Sequence, residues 1–312
     1  MATKKYHVRD YSGRITFEFI LEQVYQCISD LTPFFRDMTA DKIFTDEYLS
    51  KCLKIQKERP QLDLVQIALC DISYSIVFFG VTYWDFTSLL RLYEKYFHGL
   101  FLNYIAFYIS KKPHLDANEK QQTWAGFKSL HLPELLEHLN KDYAEGKNQI
   151  PNYRLAETEF HKFLEKNKGS NIINSLSHRD FYKYYGGHQF KLGHYYRHLF
   201  QSVKYINENK ILSFSEKYNY IKILRAQLST PEQYLLFFNS ISIAGRAWEF
   251  DQISDNLYEN VNCYFISKFN LIKNIPDTFI LNAIQIRYYY PLVHFEFIDE
   301  PAERRKIENK FY

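Results

Sequence analysis

The chain has 312 residues, a net charge of +3, and an unusual complement of 27 Tyr and 27 Phe. That length can build a large core without a disulfide or metal staple, and the charge reads as spread along the chain, so charge balance alone announces no nucleic-acid partner. Four separated cysteines, Cys27, Cys52, Cys70 and Cys263, form no CxxC pair and fit reduced thiols packed in a core better than a disulfide framework or zinc knuckle.

The N-terminal MATKKYHVRDYSGR carries charge but no apolar signal region, so the protein is expected to stay in the cytoplasm. Helical periodicity dominates thereafter and predicts an all-α fold. Helices are expected over 15–31, 45–58, 62–79, 84–110, 133–143, 155–167, 190–209, 214–228, 231–244 and 256–269. The most hydrophobic window, 65–81, is shorter than the roughly 20 residues of a spanning helix and carries Asp71 near its middle, so it reads as a buried core helix and not a membrane span. Between 111 and 180 the composition shifts to Lys, Asn, Glu and Pro with turn-like KKPH, EGKNQIP and NKGSN. The expected organisation is one multi-helical domain over 1–312, with 111–185 a peripheral helical insertion.

The segment from Gly186 to Trp248 carries the candidate chemistry. On the helix after Gly187, Leu192, Tyr196, Leu199, Val203 and Ile206 form an apolar stripe. A projection at about 100° per residue gathers His194, Arg197, His198, Gln201 and Tyr205 on the opposite face. Solvated faces usually carry Lys and Glu, whereas imidazole, guanidinium, amide and phenol groups bind phosphate or move protons. His194, Arg197 and His198 are therefore the candidate catalytic residues; the alternative is a wettable surface packed under the insertion. The Gly186-Gly187 pair reads most simply as a turn before the helix, with close backbone approach to a ligand as the alternative.

A Ser213-x-x-Glu216 capping box opens the next helix, on which Arg225 falls within the stripe of Phe214, Tyr218, Ile221 and Leu228. A buried arginine needs a carboxylate, an anion or many acceptors. Thr230, Pro231 and Glu232 cap a third helix, apolar nearly all round, in which Asn239 should be hydrogen-bonded. His188, Gln201, Asp71, Arg225, Gln227, Asn239 and Arg246 make up the expected binding or structural polar network. Asp71 is expected to pair with Arg225 or Arg197.

The residues GHYYRHLFQSVKYI followed by YIKILRAQLSTPEQYLLFFNSIS resemble the putative phage abortive infection protein family, the AbiC-like group of bacterial defence loci. The likeness covers roughly 62–274, with YSIVFFG and NLIKNIP as weaker flanking agreement. It implies an antiviral role in which an infected cell is arrested or killed before phage mature. Several members look as if they begin with transmembrane helices, and none is expected at the start of this sequence.

Many all-α abortive-infection proteins resemble HEPN ribonucleases, whose signature is an Arg, four to six residues, then a His. Arg91 to His98, Arg154 to His161 and Arg287 to His294 satisfy that spacing. With 13 Arg and 11 His, chance alone yields about one or two such matches, and Leu92, Leu155 and Tyr288 stand where a polar residue often follows the arginine. His194 and His198 form an H-x-x-x-H pair without the glutamate of a zincin or a third ligand, so no metal and no cofactor is expected. Two readings remain: an RNA-cleaving, metal-independent effector, or a non-enzymatic sensor or interaction module. The partners they imply are RNA, a phage or host trigger protein, a neighbouring defence-locus protein, or a second copy of the chain.

Overall fold

The structure, a computed structural model, describes residues 14–81, 89, 91–114, 118–147, 159–177, 183–249, 263–276, 278–281, 283–295 and 309. It is all-α apart from one two-stranded sheet. Three helices pack together at its centre: α1 (Arg14–Phe35), α4 (Leu64–Phe79) and α11 (Thr230–Ile241). On α1 the core positions Ile20, Val24, Cys27, Leu31 and Phe34 recur every three or four residues, which puts them on one stripe. The α4 helix starts at Asp63, whose carboxylate accepts from the Val65 and Gln66 amides at 2.9 and 3.2 Å, and it is buried from Cys70 to Val77. On α11 Leu235, Leu236, Phe237 and Phe238 are all fully buried, which puts every side of its body in the core, as expected of a helix apolar nearly all round.

Short α2 (Ala40–Ile43) and α3 (Asp46–Glu58) lie between α1 and α4 in sequence, and α5 (Gly99–Ser110) packs on α1. The helix expected over 84–110 is broken: residues 94–96 turn, Phe97 bridges to Phe44, and the His98 amide donates to the Ile43 carbonyl at 2.9 Å. Its first residues, 84–88, lie outside the described set. Long-range backbone pairing has won over local helical propensity there. The next helix, α6 (Asn118–Ala144), starts far earlier than the expected residue 133 and runs through Pro133. An interior proline costs about 3 kcal/mol. Burial of Trp124, Phe127, Leu135 and Leu139 on both sides of it offsets that cost. Two shorter helices, α7 (Glu159–Lys166) and α8 (Asn171–Ser177), pack on α6.

The remaining helices are α9 (Gln189–Glu208), α10 (Phe214–Ala226) and α12 (Phe265–Phe269), with a 3-10 turn at Arg246–Trp248 following α11. Two-residue strands β1 (Phe279–Ile280) and β2 (Ile284–Gln285) pair antiparallel, Phe279 opposite Gln285, and lead into α13 (Ile286–Tyr289). Residues 256–262 of the expected last helix, and 155–158 of the helix expected over 155–167, lie outside the described set.

The glycine pair before α9 serves a backbone crossing. The chain at 185–188 runs against the end of α4, with Val81 N–H donating to the Tyr185 carbonyl at 2.9 Å and His188 N–H to the Phe78 carbonyl at 2.8 Å. Gly187 has φ +86°, and a Cβ there would lie 2.6 Å from the Phe79 carbonyl oxygen; a Cβ on Gly80 (φ +90°) would lie 2.9 Å from the Gly186 carbonyl carbon. Only glycine fits both places. The close approach is to backbone of the same chain rather than to a ligand.

Candidate functional site

The apolar stripe of α9 is buried as its spacing predicts: Leu192, Tyr196, Leu199 and Val203 are at most 7% exposed. On the opposite side His194, Arg197, His198, Gln201 and Tyr205 are all exposed, so no helix among the described residues covers this face. No described residue donates to or accepts from the side chains of His194, Arg197, His198 or Gln201. Phe190, which sequence reasoning took only as a helix start, joins the same face at 83% exposure. Its position four residues before His194 was the available signal. The helix is oriented from below by the Tyr195 hydroxyl, which donates to Glu232 at 2.8 Å. Glu232 in turn closes a capping box with Ser229, so the cap of α11 is Ser229 rather than Thr230.

His188, placed in the expected polar network, is the N-cap of α9 and is half-buried. Its Nε2 is 2.6 Å from Gln23 Oε1, and burial lowers its pKa to about 4, so it is neutral near pH 7.

Asp71 is fully buried on α4, and its partner is Arg246 instead of Arg225 or Arg197. Arg246 Nη2 lies 3.2 Å from Asp71 Oδ2, while the Tyr93 hydroxyl and the Ile243 amide donate to Oδ1 at 2.6 and 3.1 Å. Burial pushes the Asp71 carboxyl up to about 7, against the lowering effect of those two donors. The Arg246 guanidinium also covers the Tyr48 ring at 4.8 Å. Beside it is a cavity of about 40 Å³ lined by Tyr48, Cys52, Ile55, Ile241 and Arg246 among others. That volume suits a water and is far below a substrate pocket.

Arg225 is 6% exposed and needs no carboxylate: its Nη1 donates to the Phe269 and Asn270 carbonyls, both at 3.1 Å. It therefore caps the C-terminal end of α12, where orphan carbonyls collect. Asn239 is hydrogen-bonded as expected, donating to the Tyr74 hydroxyl at 3.0 Å and accepting from Trp248 Nε1 at 3.1 Å. Gln227 is exposed at the end of α10, outside the expected network, because the turn after α10 starts there.

Two of the three Arg-His spacings lie among the described residues. Arg91 is exposed ahead of the break at 94–96, while His98 caps α5 with Nε2 3.2 Å from the Asp41 carbonyl oxygen. Arg287 lies on α13 against the Phe295 ring at 5.9 Å, and His294 donates its amide to Asn270 Oδ1 at 2.8 Å. Arg154 lies outside the described residues.

One buried cluster escaped the sequence reading. Asp30 on α1 is bonded by Lys112 Nζ and, at 2.9 Å, by the Tyr185 hydroxyl, with the Lys112 ammonium 4.2 Å over the Tyr184 ring. Asp30 stands three residues after Cys27 on the apolar stripe of α1, which was its signal. All four cysteines are free thiols, three of them buried. Among the described residues no group of three or more His, Cys, Asp and Glu side chains could hold a metal, and no helix is long and apolar enough to cross a membrane.

The exposed α9 face and the buried α10 and α11 networks fall within one stretch of sequence, and a family match covers that stretch. Residues 187–280 match the family described as putative phage abortive infection protein. The match starts at Gly187, so the likeness expected over 62–186 lies outside it. Neither the curated proteins nor the solved structures contain a match to the chain.

Proposed function

We propose that this chain is an anti-phage defence protein acting by abortive infection, and that the exposed face of α9 is its recognition surface. The observation that carries this reading is the combination of the family match over α9 with a row of polar and aromatic side chains held open to solvent. A metal-independent ribonuclease on His194, Arg197 and His198 would require a base oriented by a third group beside a cradle for the phosphate. The exposed side chains of α9 have no such orienting partner among the described residues. Recognition by a sensor makes no such demand, since an open face is what a partner needs.

Phage plating on cells expressing the protein tests this. Recognition predicts that His194→Ala and His198→Ala alone keep most of the protection, while Arg197→Glu combined with Tyr205→Ala loses it with unchanged thermal stability. Abolition of protection by either single histidine change, with cellular RNA preserved only in that variant, would replace recognition by catalysis.

A further inference from the structure

The net charge that reads as spread along the chain is in fact concentrated. Residues 189–228, which make α9 and α10, contain seven Lys and Arg against Glu208 and Glu216, a balance of +5 where the whole chain carries +3. On α9 the arrangement is ordered. At about 100° per residue, Phe190, His194, Gln201 and Tyr205 form a central row, with Lys191 and His198 along one flank and Arg197 and Lys204 along the other. The rings at the two ends, Phe190 and Tyr205, are 83% and 76% exposed and lie about 22 Å apart along the axis. Glu208 is the helix's one carboxylate, and it pairs with Lys204 at 3.7 Å.

We propose that this face binds single-stranded nucleic acid, RNA or DNA, across the α9 surface. The inference rests on reading α9 as a recognition surface and names its partner. Cations on two flanks track a phosphate backbone, and exposed rings offer platforms on which unpaired bases stack. The imidazoles and the Gln201 amide between them can donate to and accept from base edges. An anionic membrane is the poorer fit, because a surface-bound helix inserts a broad apolar face and the apolar face of α9 is already buried against the core. The face length suits a site near the small end of the roughly 4 to 16 nucleotides typical of single-strand folds.

Fluorescence anisotropy of the full chain with labelled oligo-U and oligo-dT of about 12 nucleotides tests the assignment. Engagement of about three cations predicts that log K falls with log salt at a slope near −2. Lys191→Ala with Arg197→Ala should flatten that slope. Phe190→Ala with Tyr205→Ala should weaken binding about tenfold or more and leave the slope in place. Preference for one strand type identifies RNA or DNA as the source. No binding at about 50 mM salt, indifference to both double variants, or equal binding to duplex or to phosphatidylserine vesicles overturns the assignment. If binding is absent but phage protection still fails in the Arg197→Glu, Tyr205→Ala variant, only the nucleic-acid assignment falls and the recognition surface stands.

Discussion

Replacing Arg246 by Met isolates the energetics of the buried charge pair. The change removes the guanidinium 3.2 Å from Asp71 and leaves a fully buried carboxylate with only the Tyr93 hydroxyl and the Ile243 amide. Breaking such a pair costs about 3–5 kcal/mol where the carboxylate is fully ionised. The loss must depend on pH. Burial has raised Asp71 from the ordinary 3.8 to about 7, so the folded chain holds this proton more tightly than the unfolded one. The group's contribution to stability is therefore greatest below about pH 4 and declines as pH rises through about 7, a swing of about 4 kcal/mol at about 1.36 kcal/mol per decade. Without the guanidinium the carboxyl rises further, so the deficit of Arg246→Met against wild type is largest near pH 8 and shrinks toward pH 5. Urea unfolding at those two pH values measures it, and adding Asp71→Asn should recover part of the loss at pH 8. A deficit that is equal at both pH values, or below about 1 kcal/mol, refutes the pairing as an energetic unit.

Gly187→Ala should destabilise by more than about 1 kcal/mol, because it combines positive φ with a Cβ 2.6 Å from the Phe79 carbonyl oxygen. Gly186→Ala, with nothing within 4 Å of its added Cβ, should stay within about 0.5 kcal/mol in the same denaturant titration. Arg225→Met should cost about 2–3 kcal/mol by leaving the Phe269 and Asn270 carbonyls without their donor, and Arg225→Lys should recover part of that, because one nitrogen, Nη1, serves both and an ammonium can also donate to two acceptors. Equal stability of the Met variant and wild type would assign Arg225 a purely packing role.

The helices around the candidate site were legible where local chemistry marks them. The Ser213–Glu216 box forms both of its bonds, and the four-three spacing on α9 separates buried from exposed side chains correctly. Arg225 was correctly read as buried, but its partners were not legible, since main-chain carbonyls leave no signature in side-chain identity. The same limit misdirected Asp71: Arg246 belongs to a 3-10 turn with no periodicity, so no spacing pointed from Asp71 to it. Pro133 and the break before His98 were missed because packing and long-range backbone bonds decide them. The charge of 189–228 was present in the sequence all along, hidden by a chain-wide sum.

The crossing of Gly80 and Gly187 has a bearing on how sequence change can reach the α9 face. Two main chains meet there without side chains between them, and their amides and carbonyls are tied on both sides of the contact. A joint of that kind is indifferent to side-chain identity as long as both glycines persist. The first turn of α9 is thus anchored by backbone, and the Tyr195–Glu232 bond and the buried stripe complete the setting of its rotation. Residues along the open face are free to diversify, one partner replacing another, without the helix turning that face away from solvent.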